Sequence, residues 1–227
     1  MLVARRAAPL QVLADELRVE FGVDVITTAL DLSSPLAVGS IVEVLGTREV
    51  GLVVANAAAV PIGIFDQVNP EDLDRALAVN CATTLHLARH FLPAMARRGR
   101  GGMVIMASMA GLQGTPMLTT YAATKAFGLV LAEGLWHEYR RSGVHVIGSC
   151  AGAIADPNLA QVKQKKAAGT LSPEAVVDAT LAALGTGPRV VPGSTNRLAS
   201  ALMSRILPRR VAVGIMARNT SDLRAAP

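Results

Sequence analysis

One short stretch of the sequence, YAATK at residues 121–125, contains the strongest candidates for chemistry, Tyr121 and Lys125. In a helix, side chains four residues apart leave the same face, so the phenol and the ammonium would be neighbours. A nearby ammonium lowers the pKa of a tyrosine from its usual value of about 10 toward the range of a general acid or base. Ser108 precedes Tyr121 by thirteen residues and is expected at a strand tip, where its hydroxyl could bind the same oxygen. The three residues predict proton transfer at a carbonyl or hydroxyl oxygen.

Two hydrophobic periods alternate along the chain and predict the elements that position these residues. Runs rich in Val and Ile are typical of buried strands, whereas apolar residues at three- and four-residue spacing are typical of helices. This alternation predicts an α/β fold with a doubly wound parallel sheet between two helical layers. Strands are expected just before Arg5 and at 23–30, 50–56, 102–108, 144–150 and 189–192. Helices are expected at 10–21, 35–46, about 70–96 (stopped near Pro93 and the RRGRGG run at 97–102), 119–142, 158–168 and 172–185, with a helical tail.

Polar and small residues follow several of the predicted strands. In a parallel sheet, ligands bind beyond the carboxyl ends of the strands, where the topology switches. Asp31, Asn56, Ser108 and the pair Ala151-Gly152 each follow a strand. We therefore expect these positions to border one ligand site.

The composition excludes several functional classes. With 51% hydrophobic and 17% charged residues, the 227-residue chain is not disordered and is expected to form one domain over residues 1–227. The longest apolar stretch, residues 50–65, is too short and too interrupted to span a bilayer. Two cysteines, Cys81 and Cys150, favour a reducing, cytoplasmic setting over a disulfide framework. A net charge of +5 from scattered arginines, with only 3% aromatic residues, argues against nucleic-acid binding.

Taken together, these motifs resemble the classical short-chain dehydrogenases/reductases over nearly the whole chain. The resemblance implies a Rossmann-like fold and hydride transfer between a nicotinamide cofactor and a carbonyl or secondary alcohol. It also implies a homodimer or tetramer that pairs through the two long helices. The matching segments are ASMAG with Ser108, YAATKAF with Tyr121 and Lys125, VNCATTLHLARHF with Asn80, VVANAA at 53–58 and DLS at 31–33.

The resemblance implies a role for each matching catalytic residue. Tyr121 would be the acid/base, and Lys125 would lower the pKa of Tyr121 and hydrogen-bond the nicotinamide ribose. Ser108 would hold the substrate oxygen. Asn80 would anchor a water that completes a proton relay.

Further residues are expected to bind the cofactor. By resemblance, Asp31 and Leu32 would border the adenine, Asn56 and Ala57 would support the adenosine half, and Ile154 would also contact the cofactor.

The arginines at the first strand end indicate which nicotinamide cofactor is used. A basic residue at this turn receives the 2′-phosphate of NADP, and a guanidinium matches phosphate geometry. Arg5 and Arg6 therefore predict NADP in preference to NAD, the alternative being two solvated arginines.

The family's first strand and its glycine-rich turn, T-G-x-x-x-G-x-G, have no counterpart in this sequence. We therefore expect an N-terminally incomplete fold in which the two flanking strands either keep unpaired edges or pair directly. A truncated chain would explain this, and the alternative is a non-catalytic interaction protein that has lost cofactor binding. Smaller departures are Ala58, Ala151 and Asp156, the last standing where a threonine commonly meets the nicotinamide carboxamide.

The expected substrate is apolar, because the loop between Ser108 and Tyr121 carries Met109, Leu112, Met117 and Leu118. Residues 153–187 are expected to form a substrate lid. The arginine-rich helical tail, residues 195–227, could close the substrate pocket, form an oligomer interface or contact a membrane surface. A metal at the i, i+4 pair His86 and His90 is set aside because no third ligand is evident.

Overall fold

The computed structural model describes residues 1–155, 168–221 and 223, which form parallel strands flanked by helices. The strands are β1 Leu2–Ala4, β2 Thr27–Ala29, β3 Leu52–Ala55, β4 Gly101–Ser108, β5 Val144–Ala151 and β6 Arg189–Val190. They make two sheets, one with the order β1-β2 and one with the order β3-β4-β5-β6, and every strand pairing within these sheets is parallel. The predicted α/β architecture is therefore confirmed.

The helices begin and end at residues whose chemistry suits those positions. Asn69 caps the segment that starts at Pro70, and Ser172 caps the one that starts at Pro173, each accepting a hydrogen bond from a backbone N–H of the first turn. Gly22 and Gly99 end two helices in the left-handed conformation. The helices are α1 Ala7–Phe21, α2 Ala37–Leu45, α3 Pro70–Leu77, α4 Thr83–Arg98, α5 Thr119–Tyr139, α6 Pro173–Ala183, α7 Ser194–Ala201 and α8 Arg209–Asn219.

Alternate residues of the central strands point to opposite helical layers. Val144 and Val146 of β5 are fully buried in a core cluster with side chains of α4 and α5. Ser149, which faces the other way, hydrogen-bonds Thr180 of α6 at 2.7 Å. Helices therefore cover both faces of the four-stranded sheet, as the alternating periods predict.

The two sheets are separated by a cleft of about 790 Å³ that residues from both β1 and β3 line. Of the two arrangements expected for these strands, the structure shows unpaired edges and not direct pairing. Along β3, Leu52 and Val54 are 42% and 52% exposed, which is unusual for apolar residues of a parallel strand. The strand predicted at 23–30 is shorter in the structure. Only its residues 27–29 pair with β1, because β1 itself is three residues long.

The long helix predicted at 70–96 is interrupted and ends later than expected. Between α3 and α4, residues 78–82 form a π-helical turn that contains Asn80. Pro93 lies inside α4, which continues to Arg98 and is capped by Gly99, so the helix stops in the RRGRGG run at 97–102 and not at Pro93. Leu92 and Met95 are fully buried on either side of Pro93, and this packing offsets the lost backbone hydrogen bond.

Two sequence expectations concern residues that the structure does not describe. Asp156 and nearly all of the helix expected at 158–168 lie outside the described residues. Among the helices that are described, none is both long and apolar enough to cross a membrane.

Candidate active site

The loop from β4 to α5 brings Ser108 and Tyr121 together. Ser108 ends β4, and its Oγ accepts a 3.2 Å hydrogen bond from the N–H of Ala110, which lies in a short 3-10 turn, Met109–Leu112. Tyr121 lies in the first turn of α5. The loop packs closely on that helix, since a Cβ at Gly111 would come within 2.6 Å of the backbone nitrogen of Ala126. The hydroxyl of Ser108 lies close enough to the phenol of Tyr121 to lower its pKa through a side-chain hydrogen bond.

Two effects act on the phenol of Tyr121. Burial raises the pKa of Tyr121 above its ordinary value, because a charged phenolate is poorly solvated there. The hydrogen bond with Ser108 opposes this effect and lowers the pKa. Burial is the larger of the two, so the phenol stays protonated at neutral pH and is ready to donate a proton.

Lys125 is buried beneath the same helix face, with 6% of its surface exposed. Its Nζ donates a 2.7 Å hydrogen bond to the carbonyl oxygen of Met106 in β4 and lies 5.5 Å from the centre of the Tyr121 ring. Burial lowers the pKa of Lys125 to about 8, an effect partly opposed by Cys81. The expectation that Lys125 lowers the pKa of Tyr121 is not met here, since burial sets the direction for both groups.

Asn80 connects the loop after β3 to the helix of Tyr121. Its Oδ1 accepts from the N–H of Ala59 at 2.8 Å, and its Nδ2 donates to the carbonyl oxygen of Ala59 and to Oγ1 of Thr124, both at 2.9 Å. Thr124 in turn donates to the carbonyl oxygen of Tyr121 at 2.8 Å. Both amide hydrogens of Asn80 are therefore used within the protein, and a relay water would find only acceptor atoms on this residue.

Five of the predicted cofactor residues line the cleft between the two sheets. They lie at or just beyond strand ends, as the topology rule requires. The predicted contacts Arg6 and Ile154 are exposed but are not among the lining residues. The five are Arg5, Asp31, Leu32, Asn56 and Ala57.

Asp31 is held as a carboxylate at the mouth of the cleft. Its Oδ1 accepts hydrogen bonds from the backbone N–H and the hydroxyl of Ser33, and these bonds lower its pKa. Arg75 lies 3.3 Å from its other oxygen, and Arg5 is close enough to contribute to the same shift. The cleft thus presents fixed charges of both signs.

The residues of the cleft fit a nucleotide. Its volume falls in the range typical of small-molecule sites, and Arg5 offers an exposed guanidinium of the kind that binds phosphate. Ala59, which also lines the cleft, is hydrogen-bonded to Asn80 and so joins this cleft to the Tyr121 helix. The hydrogen bonds from Ala59 through Asn80 and Thr124 continue to the carbonyl oxygen of Tyr121. A cofactor bound along the cleft would therefore lie beside this hydrogen-bond network.

The sequence interpretation missed Thr124 and the carbonyl group of Met106. Thr124 is 2% exposed and lies within the YAATK motif itself, so its type and position were visible. No sequence signal marks a backbone acceptor such as Met106, because its role depends on where β4 passes under α5.

Within residues 1–155, 168–221 and 223, no three His, Cys, Asp or Glu side chains come together as a metal site would require. The ring of His90 packs edge-on against Phe91 with the centroids 4.8 Å apart.

Comparisons with known proteins place this geometry in a family. A very-long-chain 3-oxoacyl-CoA reductase of Laccaria bicolor is 33% identical over 150 residues, which are 64% of this chain and 44% of that protein. The chain thus aligns with less than half the length of that relative. A solved 7β-hydroxysteroid dehydrogenase superimposes with a TM-score of 0.89 at 26% identity, over 94% of this chain and 85% of that one. A short-chain dehydrogenase from Sphingobium yanoikuyae in complex with NADPH has a TM-score of 0.75 at 27% identity, over 91% and 85% of the two chains.

The family model for short chain dehydrogenases matches residues 1–167, which is most of the chain. This match covers strands β1 to β5, the cleft, and all four residues of the Ser108, Tyr121, Lys125 and Asn80 cluster. The chain belongs to the short-chain dehydrogenase family.

Proposed function

We propose that this protein is an NADP-dependent oxidoreductase that transfers a hydride between nicotinamide and a carbonyl or secondary alcohol of an apolar small molecule. The observation that carries the proposal is the cluster of Ser108, Tyr121 and Lys125, in which a buried phenol lies between a hydroxyl and an ammonium.

In the proposed reaction, Tyr121 is the acid/base. Its phenol donates a proton to the substrate oxygen during reduction and takes the proton back during oxidation. Ser108 holds the same oxygen by a hydrogen bond and so orients the reacting carbon. Lys125, whose Nζ lies 5.5 Å from the centre of the Tyr121 ring, would hydrogen-bond the nicotinamide ribose. Asn80 and Thr124 keep the helix of Tyr121 in register with the loop after β3.

The cofactor site is proposed at the cleft. When bound, the nicotinamide group supplies or accepts the hydride. Asp31 and Leu32 would border the adenine, and Asn56 and Ala57 would support the adenosine half. Arg5 would bind the 2′-phosphate of NADP. Arg6, Ile154, Tyr121 and Lys125 are proposed as further contacts.

The proposed substrate is apolar or lipid-like. Met109 and Leu112 lie in the turn directly after Ser108 and pack, half-buried, against a core cluster beside the site. Two of the similar proteins are named for a hydroxysteroid and for a very-long-chain 3-oxoacyl-CoA, which supports this substrate class. Residues 153–187 are proposed as the substrate lid. The whole chain, residues 1–227, is proposed to form a single domain.

We also propose a homodimer or tetramer in a reducing, cytoplasmic setting. Val130 of α5 is 69% exposed and Leu85 of α4 is 43% exposed, which suits pairing through these two helices. Cys81 and Cys150 are both free thiols, as a reducing compartment favours.

Titration of the purified chain with NADPH and, in parallel, NADH tests the proposal by the change in nucleotide fluorescence. We expect micromolar binding that favours NADPH, followed by turnover in a screen of apolar ketones that Tyr121→Phe abolishes. A folded chain that binds neither nucleotide would contradict the proposal and would favour a non-catalytic interaction protein.

A further inference from the structure

The helix that runs from residue 194 to residue 206 buries two polar side chains and exposes three large apolar ones. It consists of α7 followed by a π-helical turn, Leu202–Ile206. Asn196 and Ser200, four residues apart, are 4% and 8% exposed. Leu198 and Ile206, on the opposite side, are 73% and 71% exposed. Surface helices of globular proteins normally bury the apolar side, so this helix is inverted.

The buried polar side is fixed by hydrogen bonds. Nδ2 of Asn196 donates to the carbonyl oxygens of Gly169 and Pro192, at 2.9 and 3.0 Å. A Cβ on Gly169 would lie 2.2 Å from Oδ1 of Asn196, so the helix sits directly against that turn. Turning the helix to bury its leucines would break both bonds. The outward direction of the apolar side is therefore built into the fold.

The exposed apolar side is regular. Leu198, Leu202 and Ile206 follow one another at four-residue spacing, so they form one stripe along the helix. We name these three residues the outer stripe. Leu202 is 42% exposed, which makes the stripe continuous from end to end. A continuous apolar stripe of this kind is typical of a surface that binds a partner.

In the chain segment that carries the outer stripe, all charged side chains are positive. Between Asp178 and Asp222 the sequence has six arginines, no lysine and no acidic residue, whereas the whole chain carries a net charge of only +5. Arg197 and Arg205 are exposed and adjoin Leu198 and Ile206, and Arg210 follows at the start of α8. Among the described residues, none of these three arginines is in an ion pair.

The positive charge favours an anionic lipid surface over a second copy of the chain as the partner of the outer stripe. In a symmetric dimer the same patch would face itself, which would bring the arginines of two copies together with no acidic residue of the stretch to pair with them. An anionic lipid surface offers the opposite charge. Its acyl boundary accepts leucine and isoleucine side chains, while arginine side chains reach the phosphate groups.

We propose that the outer stripe docks the protein on an anionic membrane surface, with Arg197, Arg205 and Arg210 binding lipid phosphates. The helix lies in the plane of the interface and does not cross the bilayer. The following helix, α8, contacts the loop after Ser108, because Arg209 donates to the carbonyl oxygen of Leu112 at 2.5 Å and Thr220 to that of Pro116 at 2.9 Å. The docked surface therefore adjoins the wall of the proposed substrate site.

The test is sedimentation of the full chain with vesicles of phosphatidylcholine alone and of phosphatidylcholine with 30% phosphatidylglycerol, a composition of about one anionic lipid in three. We expect at least about tenfold stronger binding to the anionic vesicles, and a large loss of binding when the salt is raised from 0.1 to about 0.5 M. Binding is measured without substrate or cofactor, so its failure is distinct from failure of the proposed function.

The variant Leu198→Glu/Ile206→Glu should reduce vesicle binding at least about tenfold. The matched control is Val19→Glu/Phe21→Glu on α1, which makes the same change of charge at residues that are 87% and 61% exposed. The control should bind vesicles nearly as well as the wild type. Circular dichroism and thermal unfolding confirm that both variants fold.

Four results would overturn the proposal. One is equal binding to neutral and anionic vesicles, and another is an equal loss of binding in both double variants. The third is binding of poly-glutamate without binding of either vesicle, which would assign the outer stripe to an acidic protein. A shift from dimer to monomer in Leu198→Glu/Ile206→Glu, with vesicle binding unchanged, would likewise assign it to a second copy and contradict docking on lipid.

Discussion

The Nζ of Lys125 lies 5.5 Å from the centre of the Tyr121 ring while it donates its hydrogen bond to the carbonyl oxygen of Met106. The ammonium is thus tied to strand β4 and, at the same time, held beside the phenol one helical turn away. Strand and helix together fix its place, and neither would do so alone. This relationship is the basis of the first two predictions.

Tyr121→Phe should lower kcat/KM by about 10²- to 10⁴-fold, the usual contribution of a general acid. Cofactor affinity should change little, since the aromatic ring remains. Steady-state kinetics with a ketone substrate and the fluorescence titration measure the two quantities. The control is Tyr139→Phe at the far end of the same helix, which should keep its activity. Activity in Tyr121→Phe equal to that of the control would remove Tyr121 as the acid/base.

Lys125→Met should remove a pH dependence of stability. Burial lowers the pKa of Lys125 from 10.5 to about 8, so between these values the unfolded chain binds more protons than the folded one. The contribution of this group to stability therefore rises with pH from about 8 to 10.5 and is constant below that window, where both states are protonated.

Urea denaturation at pH 7.5 and 9.5 measures this effect. The free energy of unfolding of the wild type, relative to Lys125→Met, should increase by about 2 kcal/mol between the two pH values. Taking the difference between the two proteins cancels groups that titrate in both. Two parallel pH profiles would contradict a buried, charged Lys125.

The strands and the site motif were predictable because both depend on local sequence. Runs of Val and Ile locate β4 and β5 to within a residue or so, and the four-residue spacing of Tyr121 and Lys125 places them on one helix face. Of the residues expected to follow strands, Asp31 and Asn56 line the cleft, as parallel topology dictates, whereas Ser108 and the pair Ala151-Gly152 do not.

What could not be predicted depends on contacts distant in sequence. Asn80 and Thr124 are 44 residues apart, and nothing in either segment indicates that they share a hydrogen bond. The pKa of Lys125 depends on burial under β4, which spacing does not reveal. The inverted helix misleads periodicity directly, because its apolar stripe would be assigned to the core while Asn196 occupies the buried side.

Thr124→Val should weaken the connection between the loop after β3 and the Tyr121 helix. It removes the acceptor of the Asn80 amide, and a buried unpaired N–H costs about 1–3 kcal/mol. Urea denaturation measures that cost, and amide hydrogen exchange at Ala59 should become faster. Thr124→Ser keeps the hydroxyl and should restore both values.

The control for Thr124 is Thr180→Val, which breaks a comparable buried hydrogen bond to Ser149 on the other face of the sheet. It should destabilise the protein without changing exchange at Ala59. Faster exchange at Ala59 in both variants would mean general loosening and not a specific connection.

Arg5→Glu should weaken NADPH binding about tenfold or more, because a charge-assisted phosphate contact is replaced by repulsion. NADH, which lacks the 2′-phosphate, should be affected much less. Arg141→Glu is the matched control, since it makes the same change of charge at an exposed residue that does not line the cleft. Fluorescence titration of both variants with both nucleotides gives the comparison. An equal effect of the two substitutions would mean that Arg5 acts only through the general charge of the cleft.

Val54→Lys should reduce aggregation of the purified chain. Val54 is 52% exposed on β3, whose side toward the cleft has no paired strand among the described residues, and such an edge is a template for association. A lysine there disfavours pairing with another chain and leaves the bonds to β4 in place. Light scattering during incubation at about 37 °C measures the effect, and Val19→Lys on α1, 87% exposed, controls for the added charge. Equal suppression by both substitutions would show that net charge, and not the open edge of β3, governs association.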